Sequence, residues 1–245
     1  MSGNPIAGAG YLLRGLTLIT QAGIRQYVII PLMINTVLFA FLIWYGANQF
    51  SHLIEWLLPD WLDWLRGLLW PLFVVTALLI LFYIFSLVAN LVGAPFNGLL
   101  AEAVERHLTG QNTKQSDSFG KIALDFIPSL ISECKKVLYF LIRAVPLLIL
   151  FLIPGINIVA PFVWIAFSAW MLALEYADYP MGNHGLHFSQ QRLKLQEKRI
   201  MVLGFGGAAL LLTLIPVVNF LAMPTAVAGA TVMWVEEFEK EQGKR

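Results

Sequence analysis

The sequence predicts an all-α integral membrane protein. Its parts are two long transmembrane helices, two re-entrant helical hairpins that penetrate the bilayer halfway, and cytoplasmic or interfacial helices. Three observations lead there. Of the 245 residues, 58% are hydrophobic and only 13% charged, with a mean hydropathy of +0.73, the balance of a chain that lives in lipid. Four uncharged runs are long enough to enter a bilayer. Two of those runs carry helix breakers at their centres and share one pattern, which marks an internal repeat.

The same composition excludes other classes. A net charge of +1 with no basic cluster argues against nucleic-acid binding. A single cysteine, Cys134, excludes an internal disulfide and a cysteine-built metal cage. Arg14 interrupts the N-terminal apolar stretch, and the run after it is long enough to span, so the N-terminus does not read as a cleaved signal peptide.

Taken in order, "PIAGAGYLLRGLTLIT" reads as an amphipathic helix lying on the membrane. The runs 26–54 and 67–101 each supply one spanning helix, because a core ~30 Å thick needs about 20 residues. Between them, "HLIEWLLPDWLDWLRGLLW" holds Trp56, Trp61, Trp64 and Trp70 and reads as an aromatic belt at the headgroup level. Residues 102–143 form a polar helical segment. It begins with "LAEAVERHLTG", a helix ending at Gly110, followed by a Ser/Asp/Gly loop and a second helix. Runs 144–174 and 200–235 are too long for one untilted span and too short for two. Each is expected to fold as a re-entrant hairpin with arms of about 13–16 residues, ~20–24 Å long. A polar segment, 175–199, separates them, and 236–245 is a solvated tail. A turn at mid-membrane depth persists only when protein or a watery cavity covers it, so these breaks point to polar chemistry inside the bilayer. With hairpins, 15 of the 16 Lys and Arg fall on one side and only Arg66 lies opposite, which is the asymmetry that the positive-inside rule favours.

The repeat reads L-I-P-x-x-N-x-x-A in both hairpins. It runs Leu152, Ile153, Pro154, Asn157, Ala160 in the first and Leu214, Ile215, Pro216, Asn219, Ala222 in the second, with Pro161 and Pro224 soon after. Asn157 and Asn219 are expected to cap the outgoing arms, aiming two helix N-termini into mid-membrane, where broken helices of transporters hold anions. Satisfying the turn backbone is the alternative role for both. Gly23, Ile24 and Arg25 stand where the first spanning helix starts. Free amides, the positive end of the helix dipole and a guanidinium fork there suit an oxyanion. The plainer alternative is that Arg25 is a flank residue reaching for headgroups.

No enzyme motif is present: there is no P-loop, G-x-S-x-G or H-E-x-x-H. Asp178, His184 and His187 are the one grouping with metal-binding chemistry, and hydrogen-bonded loop histidines are its ordinary reading.

Four stretches, "GIRQYVIIPLMIN", "APFNGLLAE", "AFSAWMLALEYADYPMGNH" and "LIPVVNFLAMPTAVAGATVMW", resemble the CysZ family of bacterial sulfate permeases, collinearly from about Gly15 to Trp234. The resemblance implies sulfate uptake across the bacterial inner membrane for cysteine biosynthesis. It also implies two spanning helices plus two half-penetrating hairpins, assembled as a homo-oligomer, with no cofactor. The family's Gly-Leu-Arg sulfate motif falls on Gly23, Ile24 and Arg25, and Gln26 stands where a second arginine often sits. Glu102 and Arg106 fall on a polar helix near the cytoplasmic mouth. Sulfite and thiosulfate are the competing anions. Two other classes remain: an assembly protein whose hairpins shape lipid, and a metal-dependent membrane enzyme built on Asp178, His184 and His187.

Overall fold

The computed structural model describes residues 4–57, 63–110 and 119–239. Among them there are only helices: α1 (Pro5–Leu18), α2 (Gln26–Leu57), α3 (Asp63–Thr109), α4 (Phe119–Leu150), α5 (Ala160–Asn183), α6 (Phe188–Glu197), α7 (Arg199–Thr213) and α8 (Pro216–Trp234). A 3-10 turn, Ile156–Ile158, precedes α5, and a π-helical turn, Val235–Glu239, extends α8. The Ser/Asp/Gly loop and the end of the polar tail lie outside the described residues, as does the centre of the tryptophan-rich link.

The chain divides into two compact units, 26–96 and 1–25 with 97–245. In the first, α2 and α3 meet through aromatic rings near the end of α2 and the start of α3. Phe50 stacks on Phe73 at 3.8 Å between centroids and meets Trp70 edge-on at 5.4 Å. α2 is helical for 32 residues and α3 for 47, the latter running through Pro71 and Pro95. No break separates the apolar part of α3 from the polar segment expected after residue 101. Good helix formers continue it to Gly110, whose φ of +69° ends it.

In the second unit α1, α5, α7 and α8 pack together around Leu174, Val202, Phe205, Val227 and Trp234. Close backbone approach makes this possible. A Cβ on Gly15 would collide with the backbone of Thr225 and Gly229, and one on Gly206 with the carbonyl of Ala169. Small residues at such crossings replace the hydrophobic effect, which gives little drive between helices in lipid. α1 therefore docks on protein, burying Gly8, Tyr11, Leu12, Gly15 and Leu18, while Ile6, Leu13 and Leu16 remain exposed for an interface.

Both broken runs are helix–break–helix. α4 and α5 are antiparallel, with Phe140 stacked on Phe167, and Phe151 meeting Trp164. The repeat recurs in the backbone. In the first break the amides of Leu152, Ile153 and Asn157 donate to Ile149, Leu150 and Ile153, and in the second those of Leu214, Ile215 and Asn219 donate to Leu211, Leu212 and Ile215. The closing alanines, Ala160 and Ala222, are each only 1% exposed.

Two expectations are corrected. Neither asparagine is an N-cap: α5 is preceded by Val159 and α8 by Ile215, with no side-chain cap at either, and Asn219 lies inside α8. Proline explains it, since Pro161 and Pro216 fall in the first two positions of their helices, where a missing N–H does no harm. The arms are also unequal. α7 has 15 residues and α8 has 19, whereas α5 has 24 because it continues past Leu174 through Pro180 to Asn183. By length and hydropathy Gln26–Phe50 and Ala160–Asn183 each suffice to cross a membrane.

Candidate functional site

The stretch Gly23-Ile24-Arg25 divides its work by residue. Gly23 has φ +90°, and nothing approaches its missing Cβ, so its role is the turn itself. Ile24 is 2% exposed and anchors the turn. The Arg25 side chain is exposed and makes no hydrogen bond or ion pair among the described residues. One part of the expected geometry is wrong. The amides of Ile24 and Arg25 are not free, since both donate to the carbonyl of Gln21, at 3.2 and 3.0 Å. They complete a tight turn ahead of α2. The amides without intrahelical acceptors therefore begin one step later, at Gln26, the first residue of α2. The site keeps its guanidinium and its helix start, and its donors shift along the chain.

Glu102 and Arg106 are neighbours on α3, paired at 3.4 Å in i,i+4 spacing, with Arg106 the more exposed. Asn157 and Asn219 are both exposed at their breaks. No hydrogen bond or ion pair among the described residues joins Arg25 to Glu102, Arg106, Asn157 or Asn219.

The Asp178/His184/His187 grouping does not assemble. Asp178 receives Lys136 Nζ at 2.6 Å on one oxygen and Gln191 Nε2 at 2.6 Å on the other. His187 caps α6, accepting from the backbone while the Gln190 side chain accepts its amide. His184 Nε2 instead meets Glu105 at 2.9 Å, and Glu239 completes a trio whose ligand atoms lie within 4.8 Å of one another. A hydrogen bond to a carboxylate requires the proton on Nε2, which removes the lone pair a cation would use.

These contacts belong to a polar network that sequence reading missed. Lys136 is 11% exposed and meets Asp178, Glu175 and Glu133 at 2.6, 3.4 and 3.1 Å. Burial pushes its ammonium down, but the three carboxylates outweigh burial and hold it above the usual lysine range. His184 is held above its ordinary value by the Glu105 hydrogen bond, against burial. Glu237 is held low, first by Lys198 at 2.8 Å and then by the Tyr11 hydroxyl at 2.6 Å. Arg14 closes the far end with a two-pronged contact to Glu236, both bonds 2.7 Å. The ends of α1, α3, α5 and α8 are thereby tied to α4 and α6. The sequence signal for all this is faint: charged residues separated by 42 and 79 positions, with no motif.

A family model described as sulfate transporter CysZ/etoposide-induced protein 2.4 matches residues 11–224. The chain belongs to this family. Relatives named "Sulfate transporter CysZ" extend the match to almost the whole length. One from Pseudomonas paraeruginosa is 46% identical over 236 residues, covering 95% of this chain and 96% of its own. One from Pseudomonas aeruginosa PAO1 is 44% identical over 244 residues, covering 98% and 97%. A Pseudomonas fluorescens relative is 45% identical over 235 residues, covering 95% and 94%. CysZ relatives are thus named as transporters and not as enzymes. The match spans Gly23–Arg25, both breaks and the His184–Glu105 contact.

Proposed function

We propose that this chain is a sulfate permease of the bacterial inner membrane, supplying sulfur for cysteine biosynthesis, with sulfate captured by Arg25 at the start of α2. The observation that carries this is Arg25 itself. It is an exposed guanidinium at a helix N-terminus, without a carboxylate among the described residues, in a chain whose relatives are named for sulfate. A helix start and a guanidinium fork together suit a doubly charged oxyanion. Gln26 adds an amide side chain but no second charge. Glu102 and Arg106 are assigned to the mouth of the path, where a pair held at 3.4 Å can exchange Glu102 for the anion. From there the anion passes between helices. Sulfite and thiosulfate, anions of similar shape, are the expected competitors, and assembly into a homo-oligomer completes the path.

The hairpin topology draws support from the polar network. Ion pairs gather the end of α1, the end of α3, the polar half of α4, the end of α5, α6 and the end of α8. A bilayer between any two of these groups would forbid the contacts. The longer α5 favours a second reading, in which Ala160–Asn183 crosses fully. Cys134 fixes the side of the polar half of α4 in either reading, and a thiol at the break separates the two. Cys134 is the sole thiol and is exposed on α4, so an impermeant maleimide should label it only in permeabilised cells. A second cysteine introduced at Ile158 should resist labelling from both sides if the hairpin is re-entrant, and label from outside if α5 spans. Radiolabelled sulfate flux into liposomes holding only this protein tests the transport reading. Flux no greater than in empty liposomes, with the protein folded and inserted, overturns it.

A further inference from the structure

Away from Arg25, an open cavity of about 560 Å³ lies between α4, α5 and α7 and the end of α6, within one compact unit. Most of its wall is apolar, with Leu147, Val163, Phe167 and Leu203 among the lining residues, while Arg143, Arg199, Gln196 and Tyr139 line it with polar groups. This is the size of a small-molecule site, but its chemistry is divided between hydrocarbon and cation.

Placement explains the division. Arg143 is the last charged residue before the apolar run 144–174, and Arg199 the last before the run 200–235. Both therefore stand at the level where the chain passes from headgroup to hydrocarbon. Both are exposed, and neither pairs with a carboxylate among the described residues. Instead the Arg143 guanidinium lies 3.7 Å from the Tyr139 ring centroid, with that of Arg192 at 5.2 Å from the same ring. Tyr139 is 8% exposed and held in place, its hydroxyl accepting from Trp170 Nε1 at 3.0 Å and its ring set edge-on against Phe188. Arg192 Nε is buried and lacks a hydrogen-bond partner among the described residues. Two guanidiniums on one ring repel each other. Arg14 and Lys136, in the same unit, are neutralised by carboxylates from the chain, and among the described residues Arg143 and Arg192 are not.

We infer that this cavity binds an anionic phospholipid. Its phosphodiester would sit between Arg143 and Arg199 at the headgroup level, and an acyl chain would lie along Val163, Phe167 and Leu203. Arginine suits a phosphodiester because its fork matches two oxygens at once, and basic pockets between membrane helices take such headgroups. A soluble anion would have no use for the apolar wall, which is what selects a lipid. The inference rests on the membrane reading and not on the sulfate reading: a protein that carries no sulfate still passes or fails the test below.

The experiment is native mass spectrometry of the full-length protein, delipidated in detergent and titrated with phosphatidylglycerol or phosphatidylcholine of matched chains. Phosphatidylglycerol should bind in clear preference. Near a membrane surface one arginine contributes about fivefold in affinity, so Arg143→Ala should lose about fivefold and Arg143→Ala/Arg199→Ala about 25-fold. The double lysine variant should retain most of the preference, because the charge stays. Ala166→Trp, which fills the apolar wall without touching a charge, should reduce retention of both lipids, with unchanged helicity by circular dichroism. Equal binding of the two lipids overturns the proposal, as does a double alanine variant that keeps the preference. Release of bound lipid by millimolar sodium sulfate would make this a plain anion site. Efficient crosslinking between copies through a cysteine at Ala166 would make it a subunit interface. Either result overturns it.

Discussion

Arg14 and Arg25 both lie near the N-terminus and both are exposed, the one inside α1 and the other just after it, yet their surroundings differ completely. Arg14 grips Glu236 through two bonds of 2.7 Å, and its carboxylate partner arrives from the other end of the chain. Arg25 has a glycine turn behind it, a buried isoleucine holding that turn, and no anion from the described residues. The chain supplies anions for the cations it uses as ties, and Arg25, at the start of α2, has no carboxylate partner among the described residues. The difference teaches how to separate structural charges from available ones. A guanidinium whose countercharge is built in can hold helices together, and one whose countercharge is missing can take it from solution.

Variants that act on one side of this contrast and not the other test it. The largest effect is expected at the buried cation with three carboxylates around it. Lys136→Ala leaves Asp178 and Glu175 facing each other without their cation and should lower stability by about 3 kcal/mol, read as a fall in thermal midpoint of the detergent-solubilised protein. A midpoint within a degree of wild type would mean that the network holds nothing together.

Next is the available cation. Arg25→Ala should weaken sulfate binding by about 10- to 150-fold, the loss of a charge-assisted contact of about 1.5–3 kcal/mol, while the thermal midpoint stays put. Arg25→Lys should recover part of the loss, since an ammonium lacks the fork. Gln26→Arg adds a second charge at the same helix start and should tighten binding. Isothermal titration with sulfate reads all three. An unchanged affinity in Arg25→Ala would return Arg25 to the role of a headgroup-seeking flank.

A smaller effect depends on pH. Glu105 and then Glu239 favour the charged imidazole of His184, while burial and Lys194 oppose it. Because Glu105 raises its folded value, the contribution of the charged imidazole is complete below the ordinary histidine pKa of about 6.5 and is lost as pH rises through the raised folded value. Stability should therefore fall on going from mildly acidic to alkaline buffer, and His184→Gln should flatten that fall. A variant whose midpoint tracks wild type at every pH would show that another group carries the dependence. The smallest effect belongs to Arg14→Ala: an exposed pair, about 1 kcal/mol or less, with sulfate affinity unchanged.

The helices, the two breaks and the boundary at Gly110 were legible in the sequence because each has a local cause: uncharged length, proline, glycine. The repeat was legible for the same reason, and the backbone repeats it bond for bond at Ile153/Asn157 and Ile215/Asn219. The caps were misread because asparagine is a good cap in general, and here proline already occupied the first helical positions. The free amides at Ile24 and Arg25 were misread because their acceptor, Gln21, belongs to a turn with no sequence signature. The Lys136–Asp178–Gln191 and His184–Glu105 contacts depend on helices meeting across long separations, which no local pattern encodes. Asp178 and His184 were noticed, but their partners could not be.

The seating of α1 sets an order of events. Its glycines fit the backbone of α7 and α8, and Arg14 meets Glu236 across 222 positions of chain. At a synthesis rate of about 5–20 residues per second, the ribosome needs roughly 11–44 s after making Arg14 before Glu236 exists. Throughout that interval α1 has no groove to enter, and its buried face, Tyr11 and Leu12 included, must be sheltered by lipid or by an insertion factor. α1 thus settles only after α8 is made. A ribosome stalled before α8 would display α1 undocked, open to a protease that cannot reach it in the finished protein.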